Sequence, residues 1–513
     1  MTAPTGGRAP VTVRSTVPAR IDRLPWTQFH WLVVVGLGVS WILDGLEIQI
    51  VALNGAALTH EEGGLSLSTG EVGALGSAYL AGQVVGALVF GRLTDRLGRR
   101  KLFILTLLIY LVGSGLGGFA WDFWSLAVFR FIAGTGIGGE YTAINSAIDE
   151  LIPSHYRGRV DIAVNGTYWA GALIGNIAGL YLYSESVPVQ WGWRIGFFIG
   201  PLLGLVVIFL RRHIPESPRW LVTHGRAEEA ERTIEDIEER VRHSGAHLEP
   251  VPESKALEIE ELPPLGFRQL TRTFFGTYPK RSLLGFTMMV TQSFLYNAIF
   301  FTYALVLTTF YGIDQGSVPW YFIPFAFGNL LGPLVLGPLF DTIGRRKMIF
   351  ATYGGSGLLL FITAFLFNAQ VLGAVSQTVL WCVIFFFASA GASSAYLTVS
   401  EIFPLELRGQ AISYFFAISQ GAGGVVAPWL FGRLIDAAGG EDAEVLNTVP
   451  LMWGYVIGAL MMMTGGVVAR VIGVDAERKS LEDIATPLSA AGVPAGGTTG
   501  DATGGTASGR RSR

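Results

Sequence analysis

The sequence has one cysteine in 513 residues, Cys382. An intrachain disulfide is therefore excluded, and the thiol reads as inert packing within an apolar run. Charge is scarce as well: Asp, Glu, Lys and Arg make up 15% of the chain, where a soluble protein of this size carries about 25%. The formal net charge of −3 gives no bulk attraction for nucleic acid. No nucleophile–base set, metal-ligand spacing or nucleotide loop is visible. The Gly134–Gly139 run lacks the preceding strand that a dinucleotide fingerprint requires. The expectation is no enzyme, no cofactor and no metal. The first twenty residues lack an apolar core, so no cleavable signal peptide is visible and the first spanning helix is expected to act as the targeting signal.

What the chain does have is apolar residues in blocks, half of its length in all. A helix needs about 20 such residues to cross a hydrocarbon core of about 30 Å. Twelve blocks meet that need, near 31–57, 71–93, 102–120, 123–147, 161–183, 195–212, 281–311, 318–340, 348–367, 375–400, 410–436 and 449–473. The expected class is an all-α membrane protein of twelve transmembrane helices. Its 67 glycines suit close helix packing in lipid. Residues 1–25 are expected to be a disordered cytoplasmic N-terminus, 26–213 a first six-helix bundle and 281–474 a second. Between them, 214–280 reads as a cytoplasmic linker, with an amphipathic helix over Arg226–Arg242 that turns Ile234, Ile237 and Val241 to one face. Gly, Thr, Ala and Ser dominate beyond about 486, and 475–513 is expected to be a disordered tail.

Basic residues set the orientation. Arg92, Arg96, Arg99, Arg100 and Lys101 follow the second helix, Arg157 and Arg159 the fourth, and Arg345, Arg346 and Lys347 the eighth. The opposite loops hold Glu61, Glu62, Glu441, Asp442 and Glu444. Both termini are expected in the cytoplasm of a plasma (inner) membrane protein.

Two passages occur twice. Gly91-Arg-Leu-Thr-Asp95-Arg-Leu-Gly98-Arg99-Arg100-Lys101 returns as Gly337-Pro-Leu-Phe-Asp341-Thr-Ile-Gly344-Arg345-Arg346-Lys347. Glu150-Leu-Ile-Pro153 with Arg157-Gly158 returns as Glu401-Ile-Phe-Pro404 with Arg408-Gly409. The chain is thus two pseudo-symmetric six-helix bundles, a plan suited to rocking around a midplane site. The repeated loop resembles the signature of the major facilitator superfamily. Pro215-Glu216-Ser217-Pro218-Arg219-Trp220-Leu221 resembles its sugar-porter-like branch. The resemblance implies the major facilitator fold, alternating access, a monomer, and a cytoplasmic gate of carboxylate–arginine pairs that breaks as the halves rock. Asp95 and Asp341 sit where a carboxylate can cap a helix or pair with Arg.

Ionisable residues inside a membrane are costly and mark function. The first half carries Asp44, Glu47, Arg130 and Glu140. Counting 1.5 Å per residue, Asp44 lies roughly 20 Å up its helix and Arg130 roughly 10 Å down the antiparallel one, so the two can meet. The resemblance supports this, since proton-coupled sugar porters set an Asp on helix 1 beside an Arg on helix 4. An Asp44–Arg130 pair that breaks would leave a desolvated carboxylate ready for a proton. A purely structural pair remains open. Glu140 could be a second proton site, a substrate contact or a partner of the arginine network. The glycines at 134, 136, 138 and 139 could admit a helix or a ligand. Shifted by the 251 residues between Glu150 and Glu401, Arg130 falls on Trp381 and Glu140 on Gly391. Coupling is thus expected in the first half and shape recognition in the second.

Gln292, Tyr296 and Asn297 on helix 7, Asn165 and Tyr168 on helix 5, and Trp381 in the second half, are the candidate substrate contacts. Gln292 and Asn297 match the sugar-porter pattern; the first Gln, the Gly and the Tyr pair do not. Each hydroxyl of a buried sugar needs a partner, so fewer polar groups and more aromatics lean away from hexoses. Arg20-Ile-Asp22-Arg23-Leu24-Pro25 followed by Asp44-Gly45 resembles metabolite–proton symporters, among them niacin and aromatic-acid carriers. The leading expectation is a proton-coupled symporter of a small organic acid or related metabolite, with the bilayer, a small-molecule substrate and protons as partners. A sugar porter and a nutrient sensor with little flux are the alternatives.

Overall fold

The computed structural model describes residues 12–59, 64–67, 69–182, 186–211, 214–260, 271–313, 317–404, 407–438 and 447–485. After strand β1 (Thr12–Ser15) and a short α1 (Val17–Asp22) come α2 (Gln28–Thr59), α3 (Thr69–Leu97), α4 (Arg99–Gly117), α5 (Phe123–Leu151), α6 (Ser154–Gly166), α7 (Tyr168–Leu182) and α8 (Val189–Arg211). The connection holds α9 (Pro218–Thr223), α10 (Ala227–His243) and β2 (Leu257–Glu260). The second half runs through α11 (Pro279–Tyr311), α12 (Val318–Thr342), α13 (Arg345–Asn368), α14 (Ala374–Ile402), α15 (Arg408–Ser419), α16 (Val426–Ala437) and α17 (Val449–Ile472), and a short α18 (Leu481–Ile484) ends it.

Among the described residues, 9 helices are long and apolar enough by themselves to cross a membrane. Three further spans complete twelve, and each departs from a plain apolar helix for a visible reason. The helix α5 carries Arg130, Glu140, Asp149 and Glu150. The fifth span breaks at Thr167 between α6 and α7. The eleventh is interrupted by a π-turn over Gln420–Val425 between α15 and α16. The result is two six-helix bundles. They meet where α6 and α7 pack on α12, where α3 packs on α15, and where α6 packs on α14.

Glycine sets the closeness of packing in the first bundle. A Cβ on Gly134 would lie 2.2 Å from the Tyr79 carbonyl oxygen, and one on Gly138 would lie 2.0 Å from that of Gln83. Gly136 faces Tyr110 and Thr106 of α4 in the same way, so the glycine run of α5 serves contact with α3 and α4, which resolves the alternatives left by the sequence in favour of helix packing.

Both terminal expectations need correction. Residues 1–11 and 486–513 lie outside the described residues, but 12–25 and 475–485 are built into the fold. Strand β1 pairs antiparallel with β2, Thr12 opposite Glu260. Behind it, Val17, Ile21 and Leu24 are buried. Arg20 Nε donates to Glu238 at 2.8 Å and Arg23 Nη2 to the same carboxylate at 2.5 Å. Burial alone would raise the Glu238 carboxyl, but the two guanidiniums overcome it and hold it below its ordinary value. On the face of α10 turned inward, Ile234, Ile237 and Val241 are buried, as its periodicity predicts.

The repeated loops explain the other correction. Gly98 and Gly344 adopt φ of +96° and +115°, which favour glycine, and neither supplies a side-chain cap to the helix that follows. A distant acid does so in each half. Glu216 Oε1 accepts from the Arg99 amide at 2.8 Å, and Glu477 Oε2 accepts from the Arg345 amide at 3.4 Å. A carboxylate at a helix N-terminus is favourable. Burial pushes the Glu216 carboxyl up, against the pull of the Ser217 and Arg99 amides. Glu477, with buried Leu481 and Ile484, fixes the segment that composition assigned to a tail.

Candidate functional site

The membrane carboxylates gather in the first bundle, in a different pairing from the one expected. Arg130 Nη1 donates to Glu47 Oε1 at 2.7 Å, and the Arg130 guanidinium lies 4.1 Å from the Tyr79 ring centroid. Asp44, one turn away, takes hydroxyls instead: Tyr79 donates to Oδ1 at 3.0 Å and Tyr141 to Oδ2 at 2.5 Å. The Asp44–Arg130 contact is thus corrected to Glu47–Arg130. Counting residues from uncertain helix ends cannot separate two acids one turn apart. Glu140 lines one narrow crevice with Asp44, Trp41 and Tyr141. Asp44, Glu47, Arg130 and Glu140 are each at most 3% exposed. Asp44 and Glu47, one turn apart, thus bury two carboxyl groups beside one guanidinium in an apolar bundle, an arrangement that full ionisation makes expensive.

Beside this cluster, a cavity of about 170 Å³ lies between the halves. Of the expected contacts, Gln292, Tyr296, Asn297, Asn165 and Tyr168 line it. Trp381 does not: it is fully buried behind the wall, 4.7 Å from the Tyr303 ring and 6.3 Å from that of Tyr455. The mapping that put it forward followed sequence offset, which fixes helix position but not the direction of the side chain. The cavity also has contacts that the sequence did not single out, including Gln83, Gln420, Ser393, Tyr396 and Tyr141. Ser293 Oγ donates to Gln420 Oε1 at 2.9 Å, tying α11 to the π-turn. The Tyr141 and Tyr396 rings stand nearly parallel, 15° apart with centroids at 6.2 Å. No Asp, Glu, Lys, Arg or His is among the lining residues. Tyr141 lies on both sides of the boundary, with its ring on the cavity and its hydroxyl on Asp44.

The arginine-rich face is closed. Within the first half, Arg99 reaches Glu150 at 2.8 Å. Within the second, Arg345 reaches Asp341 at 2.6 Å and Glu401 at 3.1 Å. Across the halves, the Arg159 amide donates to Asp341 at 2.7 Å, Arg157 lies 3.7 Å from Glu401, and Arg408 lies 3.9 Å from Glu150. Gly91 is buried in α3, while Arg100 is exposed and its amide donates to Glu216 at 3.3 Å. Arg346 reaches Asp475 at 3.4 Å. The side chain of Asp95 lies outside the described residues. Asp22, at the end of α1, reaches Arg219 at 3.1 Å and Arg157 at 3.7 Å, so the N-terminal segment adjoins this face.

The comparisons agree with this architecture. The family model for the sugar (and other) transporter matches residues 44–486. The niacin transporter NiaP of Acinetobacter baylyi is 28% identical over 91% of this chain and 99% of its own length. A D-xylose transporter of Levilactobacillus brevis is 27% identical over 83% of this chain and 89% of its own. Among solved structures, the proton:xylose symporter XylE bound to 6-bromo-6-deoxy-D-glucose has a TM-score of 0.72 at 20% identity, covering 89% of this chain and 98% of that one. A multi-pass membrane protein with this cavity and these relatives is a transporter of a small molecule and not an enzyme. The chain belongs to the sugar (and other) transporter family of the major facilitator superfamily.

Proposed function

We propose that this transporter is a proton-coupled symporter of a small single-ring metabolite, such as an organic acid, working as a monomer in the plasma (inner) membrane with both termini and the arginine-rich face in the cytoplasm. The observation that carries the reading is Tyr141, whose ring lines the cavity and whose hydroxyl holds Asp44. Substrate and carboxylate cluster thereby share one side chain. A substrate anion finds no cationic partner among the lining residues. It meets the field of Asp44 and Glu47 beside a single guanidinium, and a proton taken up there relieves the repulsion. Proton and acid then cross together, and the gate opens toward the cytoplasm. The orientation rests on the clustered arginines of that face. Gln292, Asn297, Tyr296, Asn165 and Tyr168 are the proposed substrate contacts, with Asp44, Glu47, Arg130 and Glu140 as the coupling set. The niacin relative supports a flat heterocyclic acid, for which the cavity aromatics offer stacking faces.

A sugar is the second reading. Gln292, Asn297, Gln420 and Ser393 on the cavity wall can partner hydroxyls, and one relative is a D-xylose transporter. Uptake into proteoliposomes, with and without an imposed proton gradient, separates the two. The expected result is gradient-dependent accumulation of an acid, lost in Asp44→Asn while exchange persists. Gradient-independent equilibration of a sugar, or unchanged uphill uptake by Asp44→Asn, would defeat the symport reading.

A further inference from the structure

The closed cytoplasmic gate contains a carboxyl group that no cation matches. Five acids are buried there among the described residues: Asp149, Glu150, Asp161, Asp341 and Glu401. Four guanidiniums are buried with them, those of Arg99, Arg157, Arg345 and Arg408. Arg99 takes Glu150, and Arg345 takes Asp341 and Glu401. Arg157 lies 3.7 Å from Glu401 and 4.0 Å from Asp149, and Arg408 lies 4.0 Å from Asp149 and 3.9 Å from Glu150. Every cation is thus engaged with other acids. Asp161 is 0% exposed, neither of its oxygens accepts a hydrogen bond, and it has no ion pair within 4.0 Å among the described residues. The charges that face it are Asp149 from α5, Glu401 from α14, Arg345 from α13 and Arg157 from its own helix. Two of these four are acids; Arg345 is hydrogen-bonded to Asp341 and Glu401, while Arg157 has Glu401 at 3.7 Å and Asp149 at 4.0 Å. An isolated buried carboxylate is strongly disfavoured, and a bound proton removes the charge without any rearrangement of the gate.

We propose that Asp161 is a second proton-binding site, occupied while the cytoplasmic gate is closed and emptied into the cytoplasm when the gate opens. The carboxyl group stands on α6, the helix that packs against α12 and α14 of the other half, so parting of the halves brings water to it. One O–H bond breaks on opening, the proton goes to cytoplasmic water, and the carboxylate that remains is hydrated. Closure with the proton absent would bury an unmatched charge. Low pH therefore favours the closed gate and high pH the open one. The site lies in the gate rather than beside the cavity, and the inference stands whether or not substrate transport is proton-coupled.

The test uses the full chain in lipid nanodiscs without substrate. Leu97 and Ile343 occupy equivalent positions in the two repeated loops and are both exposed. Leu97→Cys and Ile343→Cys, in a Cys382→Ser background, carry spin labels for distance measurement across the gate. Between about pH 5 and about pH 9 the closed-to-open ratio is expected to fall by up to about tenfold per pH unit, the slope of a one-proton linkage. Asp161→Asn should stay closed throughout. Asp161→Glu, which keeps the titrating group, should retain the pH response and thereby show that loss in the Asn variant is not a folding defect. A gate that ignores pH in the wild type, or an Asp161→Asn gate that opens like the wild type, would each overturn the assignment.

Discussion

Replacing Gly158 with alanine should force the gate on the arginine-rich face open. A Cβ built on Gly158 would lie 2.2 Å from Arg345 Nη1, 2.3 Å from Asp341 Oδ1 and 2.4 Å from Arg345 Nη2. Each distance is about 1 Å short of ordinary van der Waals contact, taken as about 3.5 Å. A guanidinium can usually swing away from such a clash. This one cannot do so cheaply, because Arg345 is 2% exposed and is tied to Asp341 at 2.6 Å and to Glu401 at 3.1 and 3.2 Å. Gly158 belongs to the first half and Arg345 to the second, so the simplest relief is to separate the halves. Overpacking of this kind costs about 1–3 kcal/mol. Borne by the closed state alone, that shifts the closed-to-open ratio by about 5- to 150-fold. The gain in helix propensity from glycine to alanine, about 1 kcal/mol, is common to both states and cancels. The gate distance between labels at Leu97 and Ile343 reads the ratio at low pH, where closure is favoured. Gly355→Ala is the control, since nothing lies within 4 Å of its added Cβ. A closed fraction in Gly158→Ala equal to that of the control would refute the reasoning and show that Arg345 relaxes within the gate.

Two further outcomes concern ion pairs. Glu47→Gln leaves the buried Arg130 guanidinium without its carboxylate and should destabilise the protein by about 3–5 kcal/mol; most of the loss should return in Glu47→Gln with Arg130→Gln, as read by thermal unfolding in detergent, and an additive double variant would argue against a specific pair. Because Glu238 is held below its ordinary value of 4.5, docking of the N-terminal segment on α10 is fully stabilised above that pH and weakens as pH falls through the lower folded value. Hydrogen exchange over Val17–Leu24 should accelerate on acidification in the wild type. It should be fast and pH-independent, after correction for intrinsic exchange, in Glu238→Gln.

The repeated loops and the twelve apolar blocks made the fold legible, because both are local patterns: lipid demands length and apolarity, and the tight Gly-Arg turns need glycine at fixed positions. That Gln292 and Asn297 face the cavity was legible for the same reason, as amides in lipid need partners. The partner of Arg130 was not. Asp44 and Glu47 are three residues apart, and helix ends inferred from composition carry about that error. Trp381 was misassigned because internal symmetry predicts a place along a helix, whereas two flanking tyrosines, Tyr303 and Tyr455, decide where its side chain goes. Asp149 and Asp161 went unnoticed beside the stronger Glu150 and Arg157 signals, since a charge mismatch exists only once seven helices are brought together. The N-terminal segment reads as loop from its Pro and Arg content. It is ordered by three buried apolar side chains and two guanidiniums that meet a helix more than two hundred residues away.

The two acid caps, Glu216 and Glu477, make each half a self-sealed unit. In both, the chain leaves its last spanning helix and returns to close the turn that opened its third. A half that rocks must carry its own exit strand along, like a lever with its hinge pin fixed to the arm. The residues just after Ile472 then correspond to those just after Arg211: they are the second copy of the linker's beginning rather than an appendage. A tag or truncation placed directly after the twelfth helix would withdraw that pin from one lever and leave the other intact, and the asymmetry should appear as a gate that loosens from the second half alone.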